Sequence, residues 1–282
     1  MIKSWLNLLR VRQYYKNLLI FVPLFFGKVS IDAYVLGFVG FIMLCMYSSS
    51  GYILNDLIDY KRDKIHKEKK ERPLASGVIS RRLALLVMLS IVIISSAISY
   101  SLGWFFFLCG FGLFVNMTLY SLFFKNIAIA DLHFISFNYV LRAASGVFLG
   151  TSVLSPWLIF LIFIVALFLG TGKRKADLIL LGEKSKQHKR VYHVYTEKFL
   201  DWLAIVLLGV LFMSYILYSF MAHGSKFMIT IPFFSFIILR YLYLVTEGDV
   251  VARKTEYFFK DKQLLIPFIG WVLTSLIALY FI

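Results

Sequence analysis

Residues 48–63 read SSSGYILNDLIDYKRD, and in this stretch an apolar segment turns strongly polar. The run from residue 34 up to it is almost free of charge, which is typical of a membrane span. Its polar end carries Asn55, Asp56, Asp59 and Asp63. With about 100° of rotation per helical residue, these four side chains fall within an arc of about 100°. The stretch therefore predicts a membrane helix that ends in a cluster of acids on one face.

Comparable apolar runs recur along the 282-residue chain, of which 60% is hydrophobic. Soluble proteins average about 45–50% apolar residues, so the excess indicates a protein embedded in lipid. Nine spans are predicted, which gives an all-α, polytopic membrane protein with a single domain over residues 1–282. The spans lie near residues 14–31, 34–57, 83–101, 104–122, 128–149, 156–172, 199–219, 227–246 and 264–281.

Lysine and arginine, which give the chain a net charge of +15, fall mostly on one side of these spans. They concentrate in the N-terminal segment and in the connections at 58–82, 173–198 and 253–262. Because cytosolic loops are enriched in these residues, the N-terminus and both long polar connections are predicted to be cytosolic. The active site is therefore expected on the cytosolic face. The membrane accounts for part of the basicity, and no nucleic-acid partner is predicted.

The acids at 55–63 predict a magnesium site. Like charges this close repel one another unless a cation neutralises them, and Mg²⁺ takes oxygen ligands from carboxylates, waters and substrate phosphates. The alternative is a solvated helix end whose charge is answered by the basic residues of 61–64. Acids at a membrane edge are costly, which favours the metal site. The predicted ligands are Asn55, Asp56, Asp59 and Asp63.

The other polar residues give weaker indications of function than the acidic motif. Arg72, in the stretch RPLASG at 72–77, either begins a Pro-Gly turn or holds a diphosphate with its planar guanidinium. Cys45 and Cys109 lie inside apolar runs, so neither a disulfide framework nor a zinc site is indicated. The histidines show no metal-ligand spacing.

The acidic motif Asn55-Asp56-x-x-Asp59-x-x-x-Asp63, followed by Arg72, resembles the first aspartate-rich motif of the UbiA superfamily of intramembrane prenyltransferases. The nine predicted spans fit a UbiA-like bundle. Further stretches are similar to one branch, the decaprenyl-phosphate phosphoribosyltransferases. They read RVRQYYKN at 10–17, YVLRAASG at 139–146, GKRKAD at 172–177, RYLY at 240–243 and EGD at 247–249.

This resemblance implies transfer of 5-phosphoribosyl from phosphoribosyl diphosphate to a polyprenyl phosphate, with Mg²⁺ as cofactor and release of diphosphate. It implies a multi-pass protein of the bacterial plasma (inner) membrane, and homo-oligomerisation is left open. The expected catalytic residues are Asp56, Asp59, Asp63 and Lys125. The expected substrate-binding residues are Lys16, Asn17, Asn55, Arg72, Tyr120, Arg142, Lys173, Arg174 and Asp177.

Several of these residues also have a purely structural interpretation. Lys16 could reach the membrane interface as long cationic side chains do. Arg142 could tie helices together through Asp131 or Asn138. Lys173 could pair with Asp177 one helical turn later, although Lys173 or Arg174 is expected to meet the 5-phosphate.

Two other functions are alternatives to this one. An aromatic prenyltransferase of the same superfamily would use a polyprenyl diphosphate as donor and would carry a second Asp-x-x-x-Asp motif after the sixth span. Here that region offers only Asp177 and Glu183, six residues apart. A transporter or flippase for a polyprenyl-linked sugar would carry charges within several spans, whereas these charges gather on one face.

Overall fold

The computed structural model describes residues 1–65, 69–150, 155–182 and 190–281. Glu183, from the predicted acidic pair, lies outside these ranges. Within them the chain is helical and contains no strand. The α-helices are α1 Ile2–Leu8, α2 Phe21–Phe26, α3 Ile31–Ile65, α4 Arg81–Leu102, α5 Trp104–Leu122, α6 Ala130–Gly150, α7 Pro156–Leu181, α8 Glu197–His223, α9 Ile231–Thr246, α10 Val250–Arg253 and α11 Lys262–Tyr280.

Eight helical segments in the described chain are long and apolar enough to cross a membrane: α3 to α8, α9 with the 3-10 turn before it, and α11. The prediction of an all-α, polytopic membrane protein is confirmed. The first predicted span, 14–31, takes a different form, a 3-10 helix Val11–Ile20 followed by the short α2. Pro23 lies in the first turn of α2. Because proline has no backbone N–H, it could not continue a regular helix from the preceding segment.

Several helix starts follow from capping residues in the sequence. The hydroxyls of Ser80, Ser155 and Thr196 accept the backbone N–H three residues further on, at the starts of α4, α7 and α8. Asp261 caps α11 in the same way. These side chains satisfy N–H groups that have no partner within the helix, so the polar connections end where the apolar spans begin.

Helix α3 is the longest element, with 35 residues. At a rise of about 1.5 Å per residue it extends roughly 50 Å, well beyond the ~30 Å hydrocarbon thickness of a bilayer. Its last turns, which carry the acidic motif, therefore project past the apolar layer while the helix stays continuous with a span.

The chain forms two compact units. Unit 1 comprises Met1–Lys125 and Phe137–Leu154, and unit 2 comprises Asn126–Ser136 and Ser155–Ile282. In unit 1, α3 packs against α4 and α5; in unit 2, α7 packs against α8. The single domain expected over residues 1–282 stays a prediction.

Unit 1 has an apolar core directly beneath the acidic motif. Leu8 of α1, Ile53 of α3, and Leu74 and Ile79 of the connection before α4 are buried in one cluster. The connection that carries Arg72 is thereby anchored on α3 by apolar contacts, which fixes the backbone from which Arg72 reaches the acids.

Gly146 determines how closely the N-terminal 3-10 helix approaches α6. A Cβ atom at Gly146 would lie 1.9 Å from the backbone carbonyl oxygen of Ile20. Because a backbone atom cannot rotate away, we expect Gly146→Ala to displace the 3-10 helix and to destabilise the protein by about 1–3 kcal/mol, as overpacked sites do. Denaturant titration in mixed micelles measures this change.

Gly209 of α8 provides the matched control, because a Cβ atom there would meet nothing within 4 Å. Gly209→Ala should leave stability unchanged or raise it by up to about 1 kcal/mol through helix propensity. Equal effects of the two substitutions would contradict the close approach at Gly146.

Candidate active site

Asp56 lies at the centre of the acidic motif, with only 3% of its surface exposed. Its Oδ1 accepts hydrogen bonds from Nη2 of Arg10 at 2.7 Å and from Nη1 of Arg72 at 3.0 Å. The guanidinium of Arg10 also lies over the ring of Tyr52, 4.7 Å from its centroid. A buried carboxylate is tolerated only when it is paired and hydrogen-bonded, and here two arginines supply that compensation.

Asp63, two helical turns further on, shares one of these arginines. Its Oδ2 accepts from Nη1 of Arg72 at 2.8 Å, so Arg72 bridges Asp56 and Asp63. The other oxygen, Oδ1 of Asp63, is buried and has no hydrogen-bond partner within the part of the chain that the structure describes. An oxygen of this kind is rare in a folded protein and indicates a place for a further cation, water or donor.

Asp59 and Asn55 face α5 and the turn after it. Oδ1 of Asp59 accepts from Nζ of Lys125 at 2.6 Å, and the hydroxyl of Ser121 donates to Oδ1 of Asn55 at 3.1 Å. The structure therefore gathers the whole predicted motif in unit 1, together with Arg72 and Lys125.

Lys69 adds to the positive charge around the motif. Burial lowers the pKa of the Lys69 ammonium, and the nearby Arg72 charge lowers it further, whereas Asp63 and Asp59 raise it. Burial is the largest of these causes. An anion bound close to Lys69 would favour its charged form.

The acidic motif has the ligand types that Mg²⁺ requires. Among the described residues, no group of three or more His, Cys, Asp or Glu side chains converges closely enough to hold a metal, because the carboxylates are turned towards Arg10, Arg72 and Lys125. The donor set nevertheless consists of hard oxygens on one helix face, and Oδ1 of Asp63 has no partner. These residues fit the ion, since Mg²⁺ uses one or two carboxylates and completes its shell with waters and phosphates.

A second polar cluster in unit 1 surrounds Arg142, which is 3% exposed. Its Nε donates to Oδ1 of Asn17 at 2.7 Å, and its Nη1 donates to the backbone carbonyl of Asn138 at 2.8 Å. Asn17 also contacts Ser48 and Cys45. Arg142 therefore contacts Asn138 as expected, through its backbone carbonyl. Asp131, the other expected partner, forms its ion pair with Arg174 instead. Asn17 is thus buried and anchors the 3-10 helix that carries Lys16.

Unit 2 contains a buried ion pair at the start of α6. Nε and Nη2 of Arg174 lie 2.9 and 2.8 Å from Oδ2 of Asp131. The hydroxyl of Tyr195 donates to the other oxygen of Asp131 at 2.7 Å and accepts from the N–H of Ile129 at the same distance. Burial and the hydrogen bond to Asp131 raise the pKa of Tyr195, so its phenol stays a donor. Arg174, 3% exposed, holds unit 2 together.

Asp177 is also enclosed by unit 2. Its Oδ2 accepts from the hydroxyl of Tyr192 at 2.6 Å, and its Oδ1 accepts from Nε of Arg253 at 2.8 Å. Burial raises the pKa of Tyr192, which keeps that donor protonated. Asp177 therefore joins the end of α7 to the 190–193 turn and to α10. Lys173, by contrast, is solvent-exposed, and the expectation that Lys173 or Arg174 meets a phosphate stays a prediction.

Three residues that contact the acids have no assigned role in the sequence analysis. Arg10 contacts Asp56, and its only signal in the sequence is its place in the N-terminal signature. Tyr192 and Arg253 contact Asp177, and no local sequence pattern indicates either pairing. Lys16 and Tyr120 are half-buried, and their substrate-binding roles stay predictions.

These observations define an α-helical integral membrane protein in which buried carboxylates at a helix end are surrounded by arginines and lysines. The sequence pattern of the UbiA prenyltransferase family matches residues 19–262, most of the chain. The chain belongs to this family and is therefore an enzyme of the UbiA type. The resemblance drawn from the acidic motif is confirmed.

Two similar proteins are both named decaprenyl-phosphate phosphoribosyltransferase. The one from Corynebacterium glutamicum is 27% identical, over 96% of this chain and 85% of its own length. The one from Mycolicibacterium smegmatis is 26% identical, over 100% of this chain and 94% of its own. A solved UbiA homolog from Archaeoglobus fulgidus bound to GPP and Mg²⁺ superposes with a TM-score of 0.73 at 18% identity, covering 98% of this chain and 99% of that one. That likeness confirms the fold.

Proposed function

We propose that this protein transfers the 5-phosphoribosyl group from phosphoribosyl diphosphate to a polyprenyl phosphate and releases diphosphate. The reaction would take place on the cytosolic face of a bacterial plasma membrane, where the chain's basic residues are expected. The observation that carries the proposal is the ring of cations Arg10, Arg72 and Lys125 around Asp56, Asp59 and Asp63. The near-full-length likeness to two phosphoribosyltransferases supports the choice of substrates.

The cations are suited to phosphates because of how they are held. Arg10 and Arg72 are about one-quarter exposed, whereas Asp56 and Asp63 are almost fully buried. The guanidinium groups therefore present part of their surface outward while the carboxylates lie behind them. A guanidinium offers several N–H donors in a plane that matches phosphate oxygens. The exposed donors of these two arginines would therefore bind a diphosphate without a movement of the backbone.

Mg²⁺ held by Asp56, Asp59 and Asp63 with Asn55 would supply Lewis-acid stabilisation of the departing diphosphate. The protein's own cations orient the diphosphate and offset the negative charge that builds up on it as the bond to the anomeric carbon breaks. An oxygen of the lipid phosphate forms the new bond to that carbon, and the diphosphate leaves with the bonding electrons. This oxygen is already anionic near pH 7, so no general base is required. A single displacement predicts inversion at the anomeric carbon.

Purified protein incubated with phosphoribosyl diphosphate, a polyprenyl phosphate and Mg²⁺ should yield a phosphoribosylated lipid and one equivalent of diphosphate. Mass spectrometry detects the lipid, and a coupled assay measures the diphosphate. Excess chelator should abolish both products, and added Mg²⁺ should restore them.

The same preparation, supplied with a polyprenyl diphosphate and an aromatic acceptor, separates this function from that of an aromatic prenyltransferase. Product from the aromatic acceptor, with none from phosphoribosyl diphosphate, would overturn the proposal. Movement of a polyprenyl-linked sugar across vesicles without any turnover would favour a transporter. A retained anomeric configuration would rule out the single displacement.

A further inference from the structure

A groove in unit 1 lies on the side of α3 that faces away from the carboxylates. It encloses about 760 Å³ between the end of α3, the connection before α4 and the first turns of α4. Leu54, Leu57, Ile58 and Tyr60 form its wall on α3. At about 100° per residue, the three aliphatic side chains point 100° or more away from Asp56, and Tyr60 points about 40° away. Among the described residues that line the groove there is no member of the acidic motif, so the groove is distinct from the acidic site described above.

The groove is lined by both apolar and basic residues. Leu85 of α4 continues the apolar wall and is 44% exposed. Arg81 and Arg82, the first two residues of α4, give the groove its basic lining about one helical turn before Leu85. Among the described residues, no Asp or Glu lines the groove, and the first turn of α4 contains none. Two positive charges at the positive end of a helix dipole are unfavourable unless an anion lies nearby.

The side chains of Arg81 and Arg82 have N–H donors available for such an anion. The guanidinium of Arg81 lies over the ring of Tyr60, 4.8 Å from its centroid, and Lys64 approaches the same ring at 4.7 Å. Stacking on an aromatic ring holds a guanidinium by its face and leaves its N–H edge available. Across the described ranges, neither Arg81 nor Arg82 has a hydrogen bond or an ion pair. Their donors are unused.

We propose that this groove binds one anionic phospholipid of the surrounding bilayer, with its phosphate on Arg81 and Arg82 and an acyl chain along Leu57, Ile58 and Leu85. The combination of an apolar trough and a basic rim at the membrane edge fits an amphiphile with a phosphate headgroup. A lipid in this place does not reach the carboxylates, so it is a bound structural lipid and not a reactant. The inference does not rest on the proposed reaction.

This lipid would also stabilise the connection that carries Arg72. Leu74 and Ile79 of that connection line the groove and are buried against α3. Occupancy of the groove therefore adds contacts on the outer side of the same segment whose Arg72 bridges Asp56 and Asp63.

Native mass spectrometry with phosphatidylglycerol and with phosphatidylcholine tests the proposal. We expect the wild type to retain one tightly bound phosphatidylglycerol in preference to phosphatidylcholine. The double variant Arg81→Gln/Arg82→Gln should bind it about tenfold to thirtyfold more weakly, since each basic residue near an anionic lipid contributes to attraction. Both arginines are exposed, so the variant should keep its melting temperature in phosphatidylcholine.

Lys260→Gln/Lys262→Gln is the matched control. It also removes one cation over a tyrosine ring and one at a helix start, but neither residue lines the groove. This variant should bind phosphatidylglycerol as the wild type does. Equal losses in both variants, unchanged binding after the arginine substitutions, or no preference for phosphatidylglycerol would overturn the proposal. Displacement of phosphatidylglycerol by a polyprenyl phosphate, or equivalent binding of inorganic phosphate alone, would also overturn it.

Discussion

Asp63→Asn should lower turnover about a hundredfold to a thousandfold, a loss comparable to removal of one electrostatic contact to a transition state. Asparagine has nearly the same shape, but it removes the charge that Arg72 balances and replaces one carboxylate oxygen with a donor. It also alters the buried oxygen that has no partner in the structure. Asp59→Ala, which removes the partner of Lys125, should be similarly inactive. Initial rates of diphosphate release at saturating Mg²⁺ measure both effects.

Asp32→Asn is the control for the removal of one negative charge from α3. Asp32 lies in the first turn of the same helix and is exposed, so its substitution should leave the rate within about twofold. Binding of Mn²⁺ in the presence of diphosphate, followed by electron paramagnetic resonance, should weaken in the Asp63 variant and not in the Asp32 variant. Full activity of the Asp59 and Asp63 variants in chelator-treated membranes would refute the proposed site.

Arg174→Met should destabilise the protein by about 3–5 kcal/mol, the usual cost of removing one partner from a buried ion pair. Asp131 is 0% exposed. Without Arg174, the hydrogen bond from Tyr195 would be the one side-chain contact left to this carboxylate among the described residues. Methionine fills much of the volume of the arginine, so the loss should reflect the stranded charge more than a cavity. Denaturant titration in mixed micelles measures the free energy of unfolding.

Lys175→Met, at the next position of α7, provides the comparison. Lys175 is also buried, but its partner Asp201 keeps 40% of its side chain exposed. An exposed carboxylate remains solvated when its partner is lost, so this substitution should cost about 1 kcal/mol or less. A smaller loss of unfolding free energy for Arg174→Met than for Lys175→Met would contradict the stabilising role given to the Arg174–Asp131 ion pair.

In this structure, the arginines and Lys125 neutralise the carboxylates on which the proposed metal site depends. Arg10 and Arg72 both form salt bridges with Asp56, and Lys125 forms one with Asp59. If the carboxylates held a divalent ion, Arg10, Arg72 and Lys125 would have more of their positive charge available for phosphates. Under the proposed function, the same residues would balance the acids before the substrate binds and the substrate afterwards.

The acidic motif shows how far prediction from sequence extends. The common face of Asp56, Asp59 and Asp63 follows from helical periodicity, which is a local property, and their proximity to Arg72 follows from a short connection. The role of Arg142 was harder to anticipate. The sequence suggests Asp131 or Asn138 as a partner, and the structure shows a bond to the backbone carbonyl of Asn138. The bond from Nε to Asn17, 125 residues away, has no signal in the sequence. Arg174 likewise looked like an available cation, and the structure places it in a buried ion pair.

The amino-acid sequence by itself determined that the chain is helical, crosses a membrane many times and carries an acidic helix end among basic residues. Apolar runs, capping residues and the 3.6-residue period act over short distances, so they can be read directly. Only the tertiary structure decided which cation meets which carboxylate, for example Arg10 with Asp56 and Lys125 with Asp59. With 30 basic and 15 acidic residues, many pairings are electrostatically equivalent in an extended chain. Helix packing selects among them by bringing particular side chains together where water is excluded.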